Sequence, residues 1–242
     1  MTETATPAAT PTPILLDLGP LAQLRAGRLP LRLAQLYVGL VMYGVSLALM
    51  VRGDLGLAPW DVLHSGFIQH VPMTIGQAVI LFSFVVLVLW VPLREKPGIG
   101  TISNALLVGF SADVTLALLE RPDAMVPRVA LMLGGVLLCG LATAVYVGAQ
   151  LGRGPRDGLM TGLSRRTGLS LRVVRTVLEV AVVLIGLAMG GVLGVGTLVY
   201  AFGIGPIAQA LLPYFLIDLA PRVRSTRALR APMARTSLRW RR

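Results

Sequence analysis

The chain has 242 residues, of which 55% are hydrophobic and only 14% charged, with a formal net charge of +11. A soluble domain carries about 25% charge, so this composition excludes an ordinary water-soluble enzyme or binding module. The charge excess is local: the last 22 residues hold eight arginines and no acid, without the folded basic domain or aromatic stacking pattern of a nucleic-acid binder.

Residues 1–31 open with a Thr-, Ala- and Pro-rich stretch and lack the basic start of a secretory signal. They read as a disordered cytoplasmic extension with a short interfacial turn around 14–25. Charge-free apolar runs follow at 33–51, 71–93 and 129–152. Residues 99–119 carry one acid, Asp113, and the run 180–217 is broken in two by Gly190, Gly191, Gly194 and Gly196. A bilayer crossing takes about 20 apolar residues, so the expectation is an all-α polytopic membrane protein with six transmembrane helices. The connecting segments 57–72 and 153–168 are short. They hold Asp61, His64 and His70, or Arg156, Asp157, Arg165 and Arg166, and full crossing would desolvate too many polar groups. They read as short loop helices, at the interface or dipping partly in. The tail, 218–242, marks the cytoplasmic side and is placed to touch anionic lipid.

Much of this sequence occurs twice. Residues 32–119 align on 128–215 at a fixed offset of 96, without a gap, and 20 of the 88 pairs are identical, seven of them glycine. Glycine, proline and aspartate at matched places imply a shared backbone path. The domains are therefore a first three-helix repeat at 32–119, an extracytoplasmic linker at 120–127 and a second repeat at 128–217. Three crossings is an odd number, so the second repeat sits inverted relative to the first, as in many transporters. Arginine placement agrees: Arg25, Arg28, Arg32, Arg94, Lys96 and Arg153 to Arg172 fall on one side, with only Arg52, Arg121 and Arg128 on the other. This predicts both termini in the cytoplasm.

The first repeated motif, Gly56-Leu57-Ala58-Pro59-Trp60-Asp61, is matched by Gly152-Arg153-Gly154-Pro155-Arg156-Asp157. Proline followed by an acid suits a helix start, so each aspartate reads either as a helix-capping residue or as part of a substrate path lined by broken helices. The second motif, Gly98-Ile99-Gly100-Thr101, is matched by Gly194-Val195-Gly196-Thr197 and reads as a helix-start turn. Glu179 follows Arg175 by four residues, spacing that favours a structural pair over a functional acid. Asp113 has no basic residue within helix reach and reads as the better proton-linked site; its repeat partner is Gln209. Pro206 should kink the last helix. Gln77, Asn104 and Tyr200 are candidates for the path wall or for interhelical glue.

The pair "GLAPWDVL" and "GRGPRDGLM", followed at one interval by "GIGT" and "GVGT", with the string Arg175-Thr176-Val177-Leu178-Glu179, resembles the YczE-like branch of the YitT/YczE bacterial membrane proteins. The resemblance covers about residues 32–215 and implies small-molecule export, but supplies no substrate or functional residue. The expectation is a transporter of the cell membrane, with a non-transporting scaffold as the alternative. No HExxH, GxSxG or GxGD motif is present, so no catalytic residue, metal or cofactor is expected. The single cysteine, Cys139, lies in an apolar run and reads as packing.

Overall fold

The computed structural model describes residues 18–219, and within them every regular element is a helix. In chain order these are α1 (Pro20–Arg25), α2 (Leu29–Gly53), α3 (Pro59–Phe67), α4 (Ile75–Leu93), α5 (Ile99–Leu118), α6 (Met125–Gly148), α7 (Pro155–Thr167), α8 (Leu171–Ala188) and α9 (Val195–Phe215). The expectations for residues 1–17 and for the arginine tail beyond Leu219 lie outside the described residues. α1 falls within the short turn expected around 14–25, while the start of α2 lies inside the segment expected to be disordered.

Among the described residues, α2, α4, α5, α6 and α9 are long and apolar enough to cross a membrane. Their outward faces are apolar: Val88, Phe110 and Phe202 are more than 60% exposed, which suits lipid rather than water. The molecule is thus an all-helical membrane protein. The expected sixth span, α8, falls outside that set. It holds Arg172, Arg175 and Glu179 within its first nine residues.

Sequence dictates where the elements break. Pro59 and Pro155 occupy the first turns of α3 and α7, where a missing N–H costs nothing. Before them the chain bends at Gly56 (φ +118°) and Gly152 (φ +129°), a region closed to other residues without strain. Asp54 and Gln150, two places earlier, are left-handed as well.

The core is built from contacts that occur twice with the two halves exchanged. Arg32 Nε donates to Ala149 O at 2.8 Å, and Arg128 Nε donates to Gly53 O at 3.0 Å. Gly100 N donates to Leu151 O at 2.9 Å, and Gly196 N donates to Leu55 O at 2.7 Å. Each member of these pairs is 96 residues from its counterpart. The central helices α2 and α6 run antiparallel, with Gly39 against Tyr146 and Gly53 against Arg128 and Met132. Around them α2 packs on α5 and α6 on α9, while α3 packs on α8 and α4 on α7.

One pair of equivalent contacts departs from this pattern. Helices α4 and α5 pack closely: a Cβ on Gly109 would lie 2.3 Å from Gly76 O. Their counterparts α8 and α9 share no such face. Gly205, the counterpart of Gly109, has no neighbour within 4 Å of where a Cβ would stand.

Candidate functional site

The turns at Pro59 and Pro155 bring α3 and α7 together beside α2 and α6. A cavity of about 210 Å³ lies between them and the flanking helices. Its wall has the same exchanged character as the core. Ala58 and Gly154, Pro59 and Pro155, Trp60 and Arg156, Val79 and Arg175, Ser83 and Glu179, Asn104 and Tyr200, and Val108 and Ile204 all line it. These are seven pairs of repeat counterparts, so the cavity straddles the two halves.

The counterparts are not chemically alike, and the differences give the cavity its polarity. The Arg156 guanidinium lies 5.2 Å from the centroid of its own counterpart, Trp60, close enough for a cation–π contact. It stands 3.7 Å from Asp61 Oδ1, beyond hydrogen-bonding distance. Asp61, 4% exposed, receives a nearer partner, His64 Nδ1 at 3.0 Å. Asp157 Oδ2 accepts from the Tyr146 hydroxyl at 2.9 Å. On α8, Arg175 Nε donates to Glu179 Oε1 at 2.8 Å, the pair that the i, i+4 spacing suggests. Cys139 is buried, and its thiol faces the Tyr200 hydroxyl at 3.7 Å.

Of the residues singled out from sequence, Pro59, Trp60, Asn104, Pro155, Arg156, Asp157, Glu179, Tyr200 and Gln209 line the cavity. Asp61 sits directly behind the wall. Both aspartates stand in the first turn of their helices, as the motif suggests, with their side chains turned to tertiary partners, Asp61 to His64 and Arg156 and Asp157 to Tyr146. Gln77 is an exposed member of the capping box that starts α4 and pairs with Thr74. Pro206 lies inside α9 but off the cavity wall.

Asp113 differs most from the expectation. It has partners on another helix: Oδ1 accepts from Gly76 N at 2.9 Å and Oδ2 from the Thr74 hydroxyl. It thus ties the end of α5 to the start of α4, away from the cavity. The two glycine motifs are structural. Gly98 and Gly194 begin α5 and α9, and their N–H groups donate to Thr101 Oγ1 at 3.1 Å and Thr197 Oγ1 at 3.4 Å. Gly100 and Gly196 then make the exchanged bonds described above.

Sequence reading passed over Tyr43, Thr143, Tyr146 and Met160, all in the wall. For Tyr43 and Tyr146 a signal exists: a phenol inside an apolar run needs a hydrogen-bond partner.

The family model for a family of unknown function, DUF6198, matches residues 30–213. The chain belongs to that family. It is 39% identical over 177 residues to an uncharacterised protein of Haemophilus influenzae, covering 73% of this chain and 81% of that protein. It is 33% identical over 187 residues to the uncharacterised membrane protein YczE of Bacillus subtilis, covering 76% of this chain and 87% of YczE. A second Bacillus subtilis protein, the uncharacterised YyaS, is 25% identical over 183 residues. No solved structure matches. The DUF6198 match spans both halves of the repeat, and so includes every residue of the cavity wall.

Proposed function

We propose that this DUF6198 protein is a small-molecule transporter of the cell membrane, built from six spans in two inverted repeats, with α8 as the sixth span. The single observation that carries the reading is the cavity walled by seven pairs of repeat counterparts, next to one pair of equivalent helix contacts that is closed on one side and open on the other. Exchanged contacts and antiparallel α2 and α6 support inversion, because a two-fold axis perpendicular to the helices relates them. In that arrangement two of the three charges that set α8 apart, Arg175 and Glu179, face the cavity rather than lipid, where they would be costly.

Orientation follows from which turns share a face. Arg32 binds the 149–150 turn, Thr101 Oγ1 donates to Arg153 O, and Arg165 pairs with Glu95. That face carries more arginine than the opposite one, where Arg128 and Arg121 bind Asp54. The arginine-rich face is cytoplasmic under the positive-inside rule, and both termini lie there. The cavity then opens inward between α8 and α9 while α4 and α5 seal the outer side. Exchange of those two conditions moves the opening across the bilayer, as in other inverted-repeat transporters. The name of YczE as a membrane protein supports the membrane location alone.

Two measurements test the reading. Cysteine reporters at Gln69 and Gly191 should label from outside, and those at Pro97 and Arg165 only after permeabilisation. Gln69 and Arg165 labelling from one side contradicts inversion, since they are counterparts. Purified protein in liposomes should then accelerate movement of a solute that stabilises it against heat. A stoichiometric protein partner, with no solute moved, favours the scaffold alternative.

A further inference from the structure

The geometry points to a small organic anion as the transported solute, with its carboxylate held by Arg156; this rests on the transporter reading above. Guanidinium offers five N–H donors in a planar fork. Among the described residues the Arg156 side chain makes no hydrogen bond, its nearest acid oxygen being Asp61 Oδ1 at 3.7 Å. It is nevertheless held in the cavity wall, 20% exposed, by the Trp60 ring. Its donors therefore face the cavity without a protein hydrogen-bond acceptor, and a guanidinium so placed is a site prepared for one. Trp60 Nε1, in the same wall, is buried without a partner among the described residues.

Of the two wall cations, Arg175 is hydrogen-bonded to Glu179, whereas Arg156 makes only a long ion pair with Asp61, at 3.7 Å. Arg156 is therefore the cation with hydrogen-bonding capacity to spare, and the group it would take is an anion that competes with Asp61. A planar carboxylate matches the fork with two parallel hydrogen bonds. The rest of the solute meets Val108, Ile204 and the rings of Tyr43 and Tyr200, with Asn104, Thr143 and Gln209 as polar neighbours, so an aromatic or aliphatic body fits there. A cavity of about 210 Å³ has room for a small solute such as a single ring with one acid group.

The test uses the full chain in detergent, with benzoate and hexanoate, their neutral amides, and benzylamine and hexylamine as probes. Thermal stabilisation and tryptophan fluorescence report binding. At least one carboxylate should bind ten-fold or more tightly than its amide and its amine. Arg156→Gln should abolish that preference, and Arg156→Lys should weaken binding about ten-fold, since a point charge replaces the fork. Asp61→Asn should tighten carboxylate binding several-fold by removing the competing anion, an effect that a merely structural Arg156 would not give. Carboxylates that bind no better than amides in the unmodified protein overturn the proposal. So does carboxylate binding that survives Arg156→Gln, or that Asp61→Asn weakens. The transport reading is separated by counterflow in liposomes. A carboxylate that binds through Arg156 but does not cross keeps the anion site and removes transport. Flux of a neutral or cationic solute that is indifferent to Arg156→Gln keeps transport and removes the anion.

Discussion

Helices α4–α5 and α8–α9 occupy equivalent places in the two repeats, yet one pair is closed and the other open. The closed pair has glycine at both contact points, Gly76 and Gly109, and Asp113 spanning to Thr74 and Gly76. The open pair keeps one glycine, Gly205, but has Arg172 and Gln209 at the other two places. Arg172 and Gln209 thus stand where the closed pair has Gly76 and Asp113, and α8 and α9 do not share the face that α4 and α5 share. The turns that shape the backbone are therefore shared between the repeats, and the contact positions of the two pairs differ. An exact repeat would have no built-in preference; on the transporter reading proposed above, this difference selects the state with the cavity open along α8 and α9.

The comparison breaks most visibly at its own glycines. Gly109→Ala places a methyl group 2.3 Å from Gly76 O and should cost about 1–3 kcal/mol as overpacking. Gly205→Ala, its counterpart, meets open space and should be neutral or stabilise the helix by up to about 1 kcal/mol. Thermal unfolding of both variants in detergent checks this, and equal losses would mean the two pairs are packed alike. Of similar size is Asp113→Ala, which removes hydrogen bonds to a charged group and should cost about 1.5–3 kcal/mol. Gln209→Ala should stay within about 0.5 kcal/mol. Asp113→Asn should keep the bond to Gly76 N and lose less than Asp113→Ala. A smaller effect than that of Asp113→Ala belongs to Glu179→Gln. Its pair with Arg175 is partly exposed, 21% and 44%, so solvent screening limits the loss to about 1 kcal/mol or less. A larger loss in the same unfolding assay would show that α8 depends on that pair for its place beside the cavity.

Much of the fold is legible in sequence because turn residues fix backbone paths. The repeat, the short helices after Gly56 and Gly152 and the starts at Gly98 and Gly194 all follow from Gly, Pro and Thr at matched positions. The site is legible only in part. Trp60 and Arg156 are each visible as motif members, but their stacking joins residues 96 apart and depends on the exchange of halves. Asp61 and Asp157 carry the local signature of a helix start, which gives no sign of their tertiary partners, His64 with Arg156 and Tyr146. Asp113 looks unpartnered because its ligands lie 37 and 39 residues away. The missing contact between α8 and α9 leaves no trace in spacing; only the substitutions at Arg172 and Gln209 hint at it.

The central claim is that the two helix pairs close in turn around one cavity, and thiol accessibility under cross-linking tests it most directly. Cys139 is first replaced by Ala and a reporter introduced by Thr143→Cys, in the cavity wall. One protein carries Thr74→Cys with Asp113→Cys, positions whose side chains already touch; the other carries Ser170→Cys with Gln209→Cys, their counterparts. With α4–α5 locked shut, a membrane-impermeant thiol reagent should reach the reporter only from the cytoplasmic side. With α8–α9 locked shut, it should reach the reporter only from outside, and transport should stop in both. A reporter reached from the same side under both locks would contradict the account.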